Sequence, residues 1–241
     1  MNTLLNTDYD SEFQDRIFHF VNFPELLPFV GKNWDTSKRI LLIGESHYLK
    51  YNELHNITGI DYFDNWYKCN SANFEENFKK NIRTRTNVIL VEQGNKEKPL
   101  SIYRNLRNTL LELDLPGINN ANGVFDKFSY YNYFQKPAYD FGVNKPNRSI
   151  EATVEDKTFA FETLLNIVEI IKPATIIFVS KKSFNAFNQL ASINKPLLLN
   201  ETKVDFVPHA GRQWWNKVSK NYQNRTGKNK FKDLVRECYS E

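Results

Sequence analysis

Three groups capable of chemistry stand in a row after Gly44: the carboxylate of Glu45, the hydroxyl of Ser46 and the imidazole of His47, followed by the phenol of Tyr48. Together these types can orient or deprotonate water, act as a nucleophile or ligate a metal. A second concentration is Pro208-His209-Ala210-Gly211-Arg212, an imidazole beside two small residues and a guanidinium suited to phosphate. Asn132 lies among aromatics in Tyr130-Tyr131-Asn132-Tyr133-Phe134, where its amide needs partners for one acceptor and two donors. Plainer roles exist for each. Glu45 and Ser46 can cap a helix, His209 can be buried against a backbone partner, and Asn132 can bond neighbouring backbone. His19 and His55 have no comparable setting and read as surface or core residues.

These groups gain meaning from the elements that carry them. Four short β-branched or aromatic runs read as strands: Arg39 to Gly44, Phe128 to Phe134, Thr175 to Ser180 and Lys203 to Val207. Ile40-Leu41-Leu42-Ile43 and Ile176-Ile177-Phe178-Val179 are apolar throughout, the mark of strands covered on both faces in a parallel sheet. Helical spacing runs from Ser101 to Leu113, stopping before Pro116-Gly117, and from Glu155 to Lys172, stopping at Pro173; a third helix spans Lys182 to Leu190. The alternation predicts an α/β fold, a three-layer sandwich with a short, mainly parallel four-stranded sheet between helices. Ligands in such sheets bind beyond the carboxyl ends of the strands. Gly44 to Tyr48 as a turn, Asn132, Ser180-Lys181-Lys182 and the His209 loop are all expected at that edge. Residues from about 50 to 100 read as an insertion of helices and a lid, Gly142 to Ser149 as a loop, and Lys217 to Lys232 as a basic, exposed stretch.

As an ordered set, these features resemble the uracil-DNA glycosylase superfamily. Its Gly-x-x-Pro-x loop after the first strand corresponds to Gly44 to Tyr48, its base-reading Asn to Asn132, and its His-Pro-Ser loop to His209 to Gly211. The run Phe128 to Pro137 is similar to the family's second strand, and Leu164 to Ser180 to its helix, Lys-Pro step and third strand. The resemblance covers most of residues 38 to 215. It departs where the loop's Pro is His47, where some families keep an Asp at Ser46, and where Ala210-Gly211 replaces Pro-Ser. It implies a DNA partner and hydrolysis of the N-glycosidic bond of a flipped, damaged base. Asn132 would bond the base edge, Tyr48 would pack on it, His209 would donate to the base oxygen, and Glu45 or His47 would act on the water. Lys181, Lys182 and Arg212 would hold phosphates, and Trp214 would wedge into DNA. Glu45 matches the Gly-Glu opening of a branch that binds an iron–sulfur cluster through four cysteines. This chain has two cysteines, so no cofactor is expected.

Three other readings compete. Gly44 to Tyr48 can be a Gly-x-Ser-x-Gly elbow with Ser46 as nucleophile and His209 as base, although Tyr48 stands where the last Gly belongs. Glu45, His47 and His209 can form a zinc or manganese corner. The fold can also bind nucleic acid or a nucleotide without hydrolysing it.

The whole chain sets limits on these readings. With 241 residues, 41% of them hydrophobic, it can bury one large core and is expected to form one domain over residues 1–241. The net charge of +4 permits nucleic acid without demanding it. Two distant cysteines give no disulfide framework. No run approaches the roughly 20 apolar residues of a membrane helix, and no basic-then-apolar leader opens the chain. A cytosolic protein without a membrane partner is expected.

Overall fold

The computed structural model describes residues 4–49, 65–97, 100–119, 123–139, 150–222 and 224–240. His55 and the Gly142 to Ser149 loop lie outside them. Strands are β1 (Phe29–Val30), β2 (Ile40–Leu49), β3 (Phe128–Tyr139), β4 (Thr175–Phe178) and β5 (Lys203–Phe206). They form one sheet in the order β1-β3-β2-β4-β5. Only the β1–β3 pair is antiparallel. The expected three-layer, mainly parallel α/β sandwich is present with one strand more than the sequence suggests. That strand is the two-residue edge pair Phe29–Val30, too short to show periodicity.

The apolar runs are buried as their composition requires. Ile40 to Ile43 and Ile176 to Val179 are no more than 1% exposed, because helices cover both faces. One face packs against α1 (Asp10–Arg16), α2 (Phe18–Asn22), α3 (Glu76–Ile82), α6 (Val154–Ile171) and α7 (Lys181–Asn194), through residues such as Phe20, Ile82, Leu164 and Phe187. The other packs against α4 (Thr84–Glu92), α5 (Ser101–Leu111) and α8 (Gly227–Ser240), through Val88, Leu106, Leu110 and Val235. Among the described residues, no helix is long and apolar enough to cross a membrane.

Local signals fix α6 and α7, two of the helices on the first face. Helix α6 starts in a capping box: Thr153 Oγ1 accepts from Asp156 N at 3.1 Å, and Asp156 Oδ2 accepts from Thr153 N at 2.8 Å. It stops at Lys172, which turns left-handed (φ 47°) ahead of Pro173. Helix α7 is capped by Ser180, whose Oγ accepts from Lys182 N and Ser183 N.

Two expectations are corrected. Gly44 to Tyr48 is not a turn but the second half of β2, held in extended form by pairing with β3 as far as Leu49↔Tyr139. The basic stretch Lys217 to Lys232 is not wholly a solvated surface: from Gly227 it is helix α8, which buries Phe231, Leu234, Val235 and Cys238.

Strand order defines where a cleft can form. The chain leaves β2 toward β3 on one side and returns past β2 to β4 on the other. Of the segments leaving the adjacent strands β2 and β4, the first passes through α3 on one face and then α4 and α5 on the other, whereas the second enters α7 on the face that α3 shares. This is the switch point at which open parallel sheets take ligands.

Candidate functional site

Glu45 and Ser180 meet at that switch point. The last β2–β4 pair is Ile43↔Phe178, and Val179 N still reaches Ile43 O at 2.7 Å. One step on, Ser180 Oγ donates to Glu45 Oε2 at 2.8 Å. The hydroxyl that caps α7 thus spends its hydrogen on the carboxylate, fixing Glu45 beside the first turn of that helix. Glu45 is half-buried, so its carboxylate stays close to solvent.

His209, in the loop after β5, lies close to Glu45. Gly211 N donates to His209 Nδ1 at 3.0 Å. A backbone N–H can only donate, so Nδ1 is the unprotonated nitrogen and the proton sits on Nε2. Burial lowers the imidazole's pKa below its ordinary value; the nearby Glu45 carboxylate opposes that shift and Arg212 reinforces it. His209 is therefore a neutral N–H donor at pH 7. Its loop is held by Asn105 Nδ2, which donates to Ala210 O at 2.6 Å, and by the turn bond from Arg212 N to His209 O at 3.0 Å. Gly227 lies under it: a β-carbon there would come within 2.8 Å of the Pro208 ring.

His47 and Asn132 belong to a different environment, buried under α3 to α5. Both are 4% exposed. Asn132 Oδ1 accepts from Tyr130 Oη at 3.3 Å, which turns its NH2 toward His47 Nε2 at 3.2 Å. Thr84 Oγ1 lies 3.0 Å from the same nitrogen. With Nε2 as the acceptor, Nδ1 carries the proton and donates to the backbone of Asn81. Desolvation takes the His47 pKa down to about 3, so the ring is neutral. Tyr103 completes the cluster, hydrogen-bonded to Asn132, Asn87 and Tyr130. The space for Asn132 exists because position 44 is glycine: a β-carbon there would stand 2.2 Å from both Asn132 Oδ1 and Tyr130 Oη. Opposite His47, Gln135 to Pro137 form a bulge in β3, between the pairs Ser46↔Phe134 and Tyr48↔Ala138.

The remaining expected residues divide. Ser46 sits in extended strand, so the sharp strand-to-helix turn an elbow requires is missing. Tyr48 packs against the core on the α6 face. Lys181 and Arg212 are exposed, whereas Lys182 Nζ donates to the Ile150 carbonyl. Trp214 is 41% exposed and Trp215 is buried at 1% against Phe231. Among the described residues, no group of three or more His, Cys, Asp or Glu is placed to hold a metal ion. His47 is committed to Thr84 and Asn132 instead of joining Glu45 and His209.

No family model matches the chain, and no curated protein matches it in sequence. The geometry thus carries the reading alone. It supplies a carboxylate near solvent and a neutral N–H donor at one sheet edge, with Arg212 beside them. Tyr103 and Thr84 escaped the sequence reading, which named Ser180 and Tyr130 by position without giving either a partner. Ser180 alone had a signal, a serine between an apolar strand and a helix.

Proposed function

We propose that the chain hydrolyses the N-glycosidic bond of a nucleotide whose base is turned out of the stack into the cleft between the ends of β2 and β4. The observation that carries this reading is the His209 tautomer. Gly211 N–H on Nδ1 leaves a fixed Nε2–H, the group needed to bond a base oxygen as negative charge develops on the departing base. A preorganised donor of this kind contributes roughly 3–4 kcal/mol to transition-state stabilisation. A neutral imidazole suits the task, since it stabilises the anion without first losing a proton of its own.

Glu45 would orient or deprotonate the attacking water, with Ser180 holding its carboxylate in place. Of the two residues named for that role, Glu45 is the better candidate, because His47 is neutral, buried and engaged by Asn81, Thr84 and Asn132. Arg212, Lys181 and Trp214, exposed around the cleft, would meet the DNA backbone. The ordered resemblance to uracil-DNA glycosylases supports the same reaction class.

A second reading, binding of nucleic acid without hydrolysis, draws on one observation: the amide of Asn132 is already satisfied by protein groups. Incubation with single-stranded and duplex oligonucleotides carrying uracil, hypoxanthine or alkylated bases, followed by alkaline cleavage, separates the two. Strand scission at the modified base is expected. Retained DNA binding with no scission across the panel would leave only the binder.

A further inference from the structure

Three alternate residues of β3 each bury a polar atom that has no hydrogen-bond partner among the described residues: Tyr131 Oη, Tyr133 Oη and Gln135 Oε1. Their side chains are 0%, 0% and 1% exposed. Native interiors leave few such atoms unanswered, since each forfeits its hydration without replacement. Tyr133 and Gln135, the two that lie beyond the level of the last β2–β4 pair, ask for a common explanation.

The register relates them to the cleft. Ile43 pairs with Tyr131 and Gly44 with Asn132, so Tyr133 stands beside Glu45, at the level where Ser180 reaches that carboxylate. The Tyr133 ring lies 5.8 Å from that of Phe178, the last residue of β4. Gln135 follows at the start of the bulge. Its Nε2 donates to Asn132 O at 2.7 Å. A carbonyl can only accept, so this bond fixes the amide's orientation and leaves Oε1 as an acceptor requiring a donor. Tyr133 supplies a hydroxyl that can donate. Asn132 has no such free capacity, because Tyr130 takes its oxygen and His47 and Tyr103 take its NH2.

We infer that Tyr133 and Gln135, rather than Asn132, read the polar edge of the ligand in the Glu45–His209 cleft, and that this edge carries a ring N–H beside a carbonyl oxygen. The N–H donates to Gln135 Oε1 and the carbonyl accepts from Tyr133 Oη. The lactam edge of a keto nucleobase has this pattern. A ring nitrogen with a lone pair, as in cytosine, would face Oε1 acceptor to acceptor. The inference rests on the cleft being the ligand site proposed above.

The test uses fluorescent single-stranded oligonucleotides with one 2′-fluoro nucleotide, which resists base loss, bearing uracil, 3-methyluracil or cytosine. Binding to the intact protein is measured by anisotropy. Methylating the ring nitrogen should weaken binding about tenfold or more, with cytosine similarly disfavoured. That ratio should fall to within about twofold in Gln135→Leu, and Tyr133→Phe, which removes a single oxygen, should weaken uracil binding by about fivefold or more. Absence of base-dependent binding in the unaltered protein, or a ratio that persists in both variants and vanishes in Asn132→Ala, would overturn the assignment. Base release from the unmodified uracil oligonucleotide is scored separately. Discrimination without release removes the hydrolysis and keeps the reading pair; release without discrimination does the reverse.

Discussion

Ser180 Oγ joins two roles in one atom: it accepts from the backbone of Lys182 at 3.2 Å to cap α7, and it donates to Glu45 Oε2 at 2.8 Å. Helix stability and carboxylate position are thereby linked. Ser180→Ala should lower stability by about 1 kcal/mol through the lost cap and reduce base release as well. Ser180→Asp keeps a cap acceptor but sets a second carboxylate against Glu45. Its unfolding midpoint in urea should recover toward that of the unaltered protein while its rate falls further. Parallel recovery of both quantities would disconnect Ser180 from Glu45.

The two histidines of the notional site should behave differently when truncated. His209→Ala removes a half-buried ring whose Nε2–H is the donor proposed for the departing base, and should cut base release by about 100-fold with little change in melting temperature. His47→Ala strips Asn132, Thr84 and Asn81 of their common buried partner. The loss there should be seen first in stability, by about 1–3 kcal/mol for the groups left unsatisfied. Calorimetry beside a cleavage assay distinguishes the pair, and a His47 variant that melts normally but has no activity would return His47 to the chemistry.

Acid should destabilise the fold well before the carboxylates titrate. His19 and His47 both have pKa values lowered to about 3 by burial, against an unfolded value of about 6.5. The unfolded chain binds more protons between these limits, so their contribution is complete above pH 6.5 and declines as pH falls toward 3. Each ring fully in that regime costs about 1.4 kcal/mol per pH unit. Urea midpoints at pH 7.5, 6.0 and 5.0 should decrease in that order. A flat profile would mean that both rings are solvated, and a slope of half the size that one of them is.

Gly44 should tolerate no side chain. Its β-carbon would lie 2.2 Å from Asn132 Oδ1 and Tyr130 Oη, and overpacking of a filled core costs about 1–3 kcal/mol or more. Gly44→Ala should therefore lose stability and scatter the resonances of Tyr130 and Asn132. By contrast, Tyr131→Phe deletes a buried hydroxyl that has no partner among the described residues, and should be neutral or stabilising.

Legibility in the sequence followed the range of the interactions involved. Helices α5 and α6 could be read because apolar spacing and the stops at Pro116-Gly117 and Pro173 are local. Even the missed first residue of α6 had its sign in Thr153 and Asp156. The apolar stripe Phe231, Leu234, Val235, Cys238 was equally local, yet the surrounding lysines masked it. The second half of β2 was different. Gly44-Glu45-Ser46-His47-Tyr48 has the composition of a turn, and it is extended only because β3, more than eighty residues away, continues beside it. The same distance explains why Asn132 looked available to a ligand: its partners His47 and Tyr103 come from other elements. Glu45 and His209 were visible as chemical types at strand ends, but Ser180 as the hydrogen donor to Glu45 followed only from the register of β2 with β4.

Gly227 packs beneath Pro208, the residue before His209. None of the residues proposed to act on the ligand belongs to helix α8, yet its first residue is a stop against which the His209 loop rests. Substitution of that glycine by a larger residue would push the loop outward and change how far the imidazole reaches, leaving the tautomer intact. Selection acting on activity would therefore be felt at a position with no chemistry of its own, and a search confined to polar residues would pass over it.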